Sequence, residues 1–134
     1  MSDQSAVDQI RAQAALVVEL GRRQLGVPLG YDEAGVRWLD GYIGRLRNTP
    51  EVSQHERLIA VFGAYLGECI IRCYGGSWDL VRDNWAVRFD EHNGVFPFSK
   101  VAKHIANGEE DSVLGFFTFI PHVYKDSIRR PANN

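Results

Sequence analysis

Between Leu58 and Tyr74 the chain reads LIAVFGAYLGECIIRCY, and as a helix this run has almost no wet side. Projected at about 100° per residue, Leu58, Phe62, Tyr65, Leu66, Cys69 and Cys73 form a bulky apolar face. Ala60, Gly63, Ala64 and Gly67 gather on a small-residue face, and Arg57, Glu68 and Arg72 share one narrow polar edge beside Val61. A helix apolar around most of its circumference is a buried one, so the rest of the chain must wrap it. Its two glycines each cost about 1 kcal/mol relative to alanine. That cost is offset where a neighbour approaches more closely than side chains allow, and the expected neighbour is the aromatic-rich last helix or the sheet. Ser53 and Glu56 form a capping box at its start, and Gly75-Gly76 supplies the left-handed residue that closes it, which predicts a helix from about Gln54 to Tyr74.

Two helices precede it. Val7, Ile10, Ala14, Val17 and Gly21 recur at helical spacing and predict a helix over about Ala6 to Leu20. After the turn-forming GVPLG, Asp32 is placed to cap a second helix in which Val36, Leu39, Ile43 and Leu46 repeat at 3, 4, 3, widened by Trp38 and Tyr42. RNTP ends it, because the residue before Pro50 is steered away from helical geometry.

From Ser77 the hydrophobic period changes from 3.6 to 2. Trp78, Leu80 and Arg82 alternate with Asp79 and Val81, and Trp85, Val87 and Phe89 alternate with Ala86, Arg88 and Asp90, as half-buried antiparallel strands do. Asp83-Asn84 is the expected turn between them, and Asn93-Gly94 the expected hairpin turn before a third strand, Val95 to Phe98, which Pro97 either confines to an edge or ends. Ser99 is then read as the cap of a short helix closed by Gly108, and SVLGFFTFIPHVY as a last helix that Pro121 kinks or splits. The expected fold is α+β: three N-terminal helices, a small antiparallel three-stranded meander and two C-terminal helices around a buried central helix. A chain of 134 residues makes one such domain, with residues 1–5 and 128–134 expected to fray.

Composition narrows the function classes. A net charge of −2 and basic residues in short separate spots argue against nucleic acid as a partner. The longest apolar run, Leu58 to Ile71, contains Glu68 and is shorter than the about 20 residues that span a bilayer, so no membrane segment is expected. The polar, acidic start carries none of the features of a secretory signal, which makes the cytoplasm the expected compartment. Cys69 and Cys73 then stand as free thiols on one helix.

Glu68 is the titratable group that most invites a role. Arg72 follows at the favourable i+4 position, and Trp78 can offer its indole N–H to the carboxylate; this is a structural reading of a partly buried charge. The functional reading is a general acid or base in a pocket, with Tyr65, Arg72, Trp78 and His104 as its other members. No second carboxylate completes a catalytic pair. Cys69 and Cys73, with His104 or His122, could contribute to a four-ligand zinc site, but both cysteines lie on the core face, so neither a metal nor a cofactor is expected. The histidines at 55, 92, 104 and 122 are scattered singly, and Trp78, Trp85, Phe96 and Phe98 are read as core rather than as a ligand platform.

The residues Gly63 to Glu68, then Gly75, Gly76 and Trp78, then Pro97-Phe98 and Asn107 to Glu109, with Val36 to Arg47 upstream, form a pattern that resembles a broad group of uncharacterised bacterial single-domain proteins. The resemblance runs over about residues 31 to 120 and implies the same order of elements. Small proteins of this kind are often immunity or accessory proteins that bind another protein. The sequence reading is therefore a non-enzymatic interaction module with a protein partner, an immunity-type inhibitor being one form. Its alternative is a small hydrolase or ligand-binding protein with a pocket around Glu68.

Overall fold

A computed structural model describes residues 2–47 and 55–128 of the chain. Three helices come first: α1 (Ser2–Gln24), α2 (Glu33–Arg47) and α3 (His55–Tyr74). Three strands follow, β1 (Ser77–Val81), β2 (Asn84–Arg88) and β3 (Gly94–Val95), and then α4 (Pro97–Asn107), a 3₁₀ turn (Gly108–Asp111) and α5 (Val113–Val123). The α+β order read from the sequence is the order of the structure. Ser53 of the capping box and Asn48–Pro50, the expected stop of α2, lie outside the described residues.

Every residue from Phe62 to Ile70 is buried, so α3 is the central helix its circumference demands. The α1 stripe lies along it, with Ile10, Ala14 and Val17 in the core, although α1 starts at Ser2, ahead of the expected Ala6. Asp32 caps α2, its Oδ1 accepting the Gly35 N–H at 3.0 Å, and Val36, Leu39 and Ile43 are fully buried beneath it. The α3 glycines seat aromatic rings: a Cβ on Gly67 would stand 2.0 Å from Cη2 of Trp78, and one on Gly63 would stand 2.3 Å from Cδ1 of Phe98. The meander is thus one neighbour, as expected. The other is α4 rather than the last helix, and α5 packs mainly on α2.

The sheet order is β1-β2-β3, antiparallel throughout, with Trp78 opposite Val87 and Val87 opposite Val95. Several local expectations need correction. The β1–β2 turn is Arg82-Asp83, one residue earlier than expected, with φ of 50° and 69°, and Asn84 is already paired to Val81. Asn93-Gly94 does not form a two-residue turn, and neither residue has positive φ. The connection is instead gathered by Asp90, whose Oδ1 accepts the N–H groups of His92 and Asn93, both at 2.8 Å. The third strand stops at Val95, because Pro97 opens α4: its fixed φ and missing N–H suit the first helical turn, where no intrahelical partner exists. Phe96, not Ser99, holds the cap position, and it makes no side-chain cap bond. Pro121 does not split α5, which continues to Val123.

Candidate functional site

Glu68 sits on α3 one residue past Gly67, and the indole that Gly67 admits comes to rest against its carboxylate. Trp78 Nε1 donates to Glu68 Oε2 at 2.9 Å, in a site where Glu68 is 4% exposed. Arg72 Nη2 lies 3.5 Å from Oε1 and Arg11 Nε of α1 lies 3.8 Å from Oε2. Both guanidinium groups remain more than half exposed, so they reach from the surface to a carboxylate that desolvation alone would make costly. Arg72 also stacks 3.9 Å above the centroid of Tyr31, and the Tyr31 ring leans on Tyr65 at 5.6 Å. The structure therefore gathers Glu68, Arg72 and Trp78 in one assembly, and adds Arg11 and Tyr31 from the α1 and α2 side.

Tyr65 lies in the core behind this assembly, its hydroxyl donating to the Gly30 carbonyl. Burial holds its phenol far above the ordinary range, and does the same to the thiol of Cys69. A thiol in that state is a poor nucleophile. Cys73 Sγ is 3.6 Å from the Tyr31 carbonyl, and neither cysteine is in a disulfide. Among the described residues no cluster of three or more His, Cys, Asp or Glu is placed to hold a metal ion.

His104 belongs to a different assembly, at the junction of α2, α4 and α5. It is 2% exposed, and its Nδ1 accepts the Val113 N–H at 3.3 Å. Asp40 of α2 faces it with Oδ2 at 4.0 Å from Nδ1, but that carboxylate already accepts the Ser112 hydroxyl and the Leu114 N–H, the latter at 3.0 Å. Ser112 also caps α5 by accepting the Gly115 N–H at 3.1 Å. A serine, a histidine and an aspartate thus meet, but the hydroxyl proton points to the aspartate and not to the imidazole. The trio holds the start of α5 and lacks the serine-to-histidine hydrogen bond of an activated nucleophile. Desolvation lowers the His104 pKa, with Asp40 acting in the opposite sense.

A third region was not singled out by sequence reasoning. Helix α5 contains no Asp, Glu, Lys or Arg, yet Phe119 is 61% exposed and Val123 52% exposed. These two, with Phe116 and Tyr124, line a shallow depression along the helix. Phe116 and Tyr124 also form one wall of a cleft of about 480 Å³, whose other walls include Phe96, Lys100 and Lys103. Phe96, read as core from its alternation, is 39% exposed here because β3 ends before it and α4 starts after it. The available signal was a helix with no charged residue at all. No protein family, curated protein or solved structure matches the chain.

Proposed function

We propose that the protein is a non-enzymatic interaction module that binds another protein through the apolar face of α5. The observation that carries this reading is the charge-free helix with Phe119 and Val123 more than half exposed. A helix apolar all round belongs in a core, and one left with an aromatic face in water marks a surface that a partner covers. The polar groups that invited a catalytic role are engaged elsewhere: Glu68 with an indole and two guanidinium groups, Ser112 and Asp40 with each other. An inhibitor or accessory protein acts by occupying another protein's surface and needs no reactive group. A cytoplasmic setting is part of the proposal, and the two thiols outside any disulfide suit it.

Site-specific photocrosslinking in the native host tests this. A photoreactive phenylalanine analogue at position 119 is expected to yield a discrete covalent adduct with a protein, while the same analogue at exposed Gln9 of α1 is not. Equal yields from the two positions, or none from 119, would overturn the assignment of the surface.

A further inference from the structure

We infer that the cleft beside α5 selects its partner by charge, taking an acidic segment in which Asp or Glu neighbours an aromatic or large aliphatic side chain. This deepens the proposed function and rests on it, since the cleft shares Phe116 and Tyr124 with the exposed face of α5. At about 480 Å³ the cleft falls within the range of about 300–1,000 Å³ typical of ligand sites. Three aromatic side chains, Phe96, Phe116 and Tyr124, give it apolar walls, and Lys100 and Lys103 of α4 give it charge. No carboxylate stands among the described residues that line it.

The two lysines are not equivalent. Lys100 Nζ is 3.0 Å from Asp111 Oδ1 and 5.7 Å from the centroid of Phe116, so it is anchored and partly balanced at the wall. Lys103, one turn further along α4, is exposed on the cleft wall and makes no ion pair among the described residues, acting on Asp111 only through a minor electrostatic influence, so it carries most of the charge that meets an occupant. A purely apolar occupant would desolvate an ammonium group without replacing its water, and a basic one would be repelled. A carboxylate beside a large apolar side chain satisfies both walls at once. The adjoining surface of Phe119 and Val123 then takes the flanking apolar residues of the same segment.

Selection of random linear peptides displayed on phage against the immobilised full-length protein tests the inference. Enriched peptides are expected to carry Asp or Glu within two residues of Phe, Trp, Tyr, Leu or Ile. Their affinity should fall at least tenfold on K103E, survive K103R and weaken with added salt; because Lys103 is exposed, unchanged circular dichroism and thermal unfolding are expected for both variants. Enriched peptides without an acidic residue, or indifferent to K103E, overturn the inference; if these are still lost on F119D, the α5 surface stands without it. No enrichment at all overturns the cleft and the α5 surface together.

Discussion

Gly67, Glu68 and Trp78 act as one unit: the missing side chain makes room for the indole, and the indole satisfies the carboxylate. A Cβ on Gly67 would lie 2.0 Å from Cη2 of Trp78, so Gly67→Ala must expel the ring. Overpacking costs about 1–3 kcal/mol, and loss of the buried hydrogen bond adds about 1–3 kcal/mol. Urea unfolding is expected to show a loss of about 2–5 kcal/mol on these two grounds; a helix-propensity gain with no net loss would contradict the close packing. Glu68→Gln keeps an acceptor for the indole N–H and should cost less than Glu68→Leu, which leaves that donor buried without one, a penalty of about 1–3 kcal/mol. The reverse order would mean that the ion pairs, rather than the indole, hold the site. Glu68, Arg72 and Trp78 were legible in the sequence because their partnership is local, one helical turn and one helix end apart. Arg11 was not, because it arrives from α1 across a gap that no spacing rule connects. Asp40 was equally hidden, since its donors lie on Ser112 and Leu114.

Among the elements, the β1–β2 hairpin is the one whose local sequence works against its geometry. Both residues of its two-residue turn have positive φ; Arg82 is a residue that adopts such angles at a cost, and Asp83 tolerates them better but stands where Gly is preferred. Replacing Arg82-Asp83 with Asn-Gly relieves left-handed strain of about 1–2 kcal/mol per residue, offset in part by about 0.4–1 kcal/mol of unfolded-state entropy that the glycine adds, and the net gain is expected to read as a higher urea midpoint with unchanged slope. A lower midpoint would show that the exposed Arg82 or Asp83 side chain makes a contact worth more than the strain. The second hairpin escaped sequence reasoning for a different reason: its register places Val87 opposite Val95 and Arg88 opposite Gly94. Five residues, Phe89 to Asn93, must then bridge the strands, so Asn93-Gly94 cannot be a tight turn whatever its intrinsic preference. The long, strongly periodic helices were read correctly because burial repeats along them. Junctions such as Pro97 were not, because a proline ends a strand and begins a helix equally well. The exposure of α5 was hidden for a related reason: in a helix with no charged residue, nothing in the sequence marks the side that faces water.

For the molecule as a whole, the same junction that anchors α5 makes stability depend on pH. His104 accepts a backbone N–H at Nδ1, so the native state requires the neutral imidazole there, and desolvation lowers its pKa below the ordinary 6.5. The charged groups facing it are Asp40 and Arg47 of α2, Lys100 of α4 and Asp111 of the 3₁₀ turn; both cations reinforce the depression and both carboxylates oppose it. With the native pKa lowered, the unfolded chain takes up the proton first. The His104 contribution is therefore complete above pH 6.5 and is lost as pH falls below it, by at most about 1.4 kcal/mol per pH unit for one proton. A second decline begins nearer the carboxylate range. Asp90 is held low by hydrogen bonds from Ser127, Asn93 and the His92 backbone, and Asp111 by Asn107 and Lys100. Their stabilisation is present above the ordinary value of 3.8 and disappears as pH falls through their lowered values. Urea midpoints measured from pH 8 to pH 3 should thus stay level, fall below pH 6.5, and fall again below about pH 4. In His104→Gln, whose baseline stability is expected to be lower because a buried contact is altered, the first fall should be absent and the second retained. A wild-type midpoint that rises between pH 7 and pH 5 would mean that Asp40 outweighs desolvation, and that the junction favours the imidazolium. Amide exchange separates the local event from the global one: if His104 is the first group to fail, protection at Phe117 and Ile120 of α5 should drop by pH 5 before that of Leu66 and Ile70 in α3.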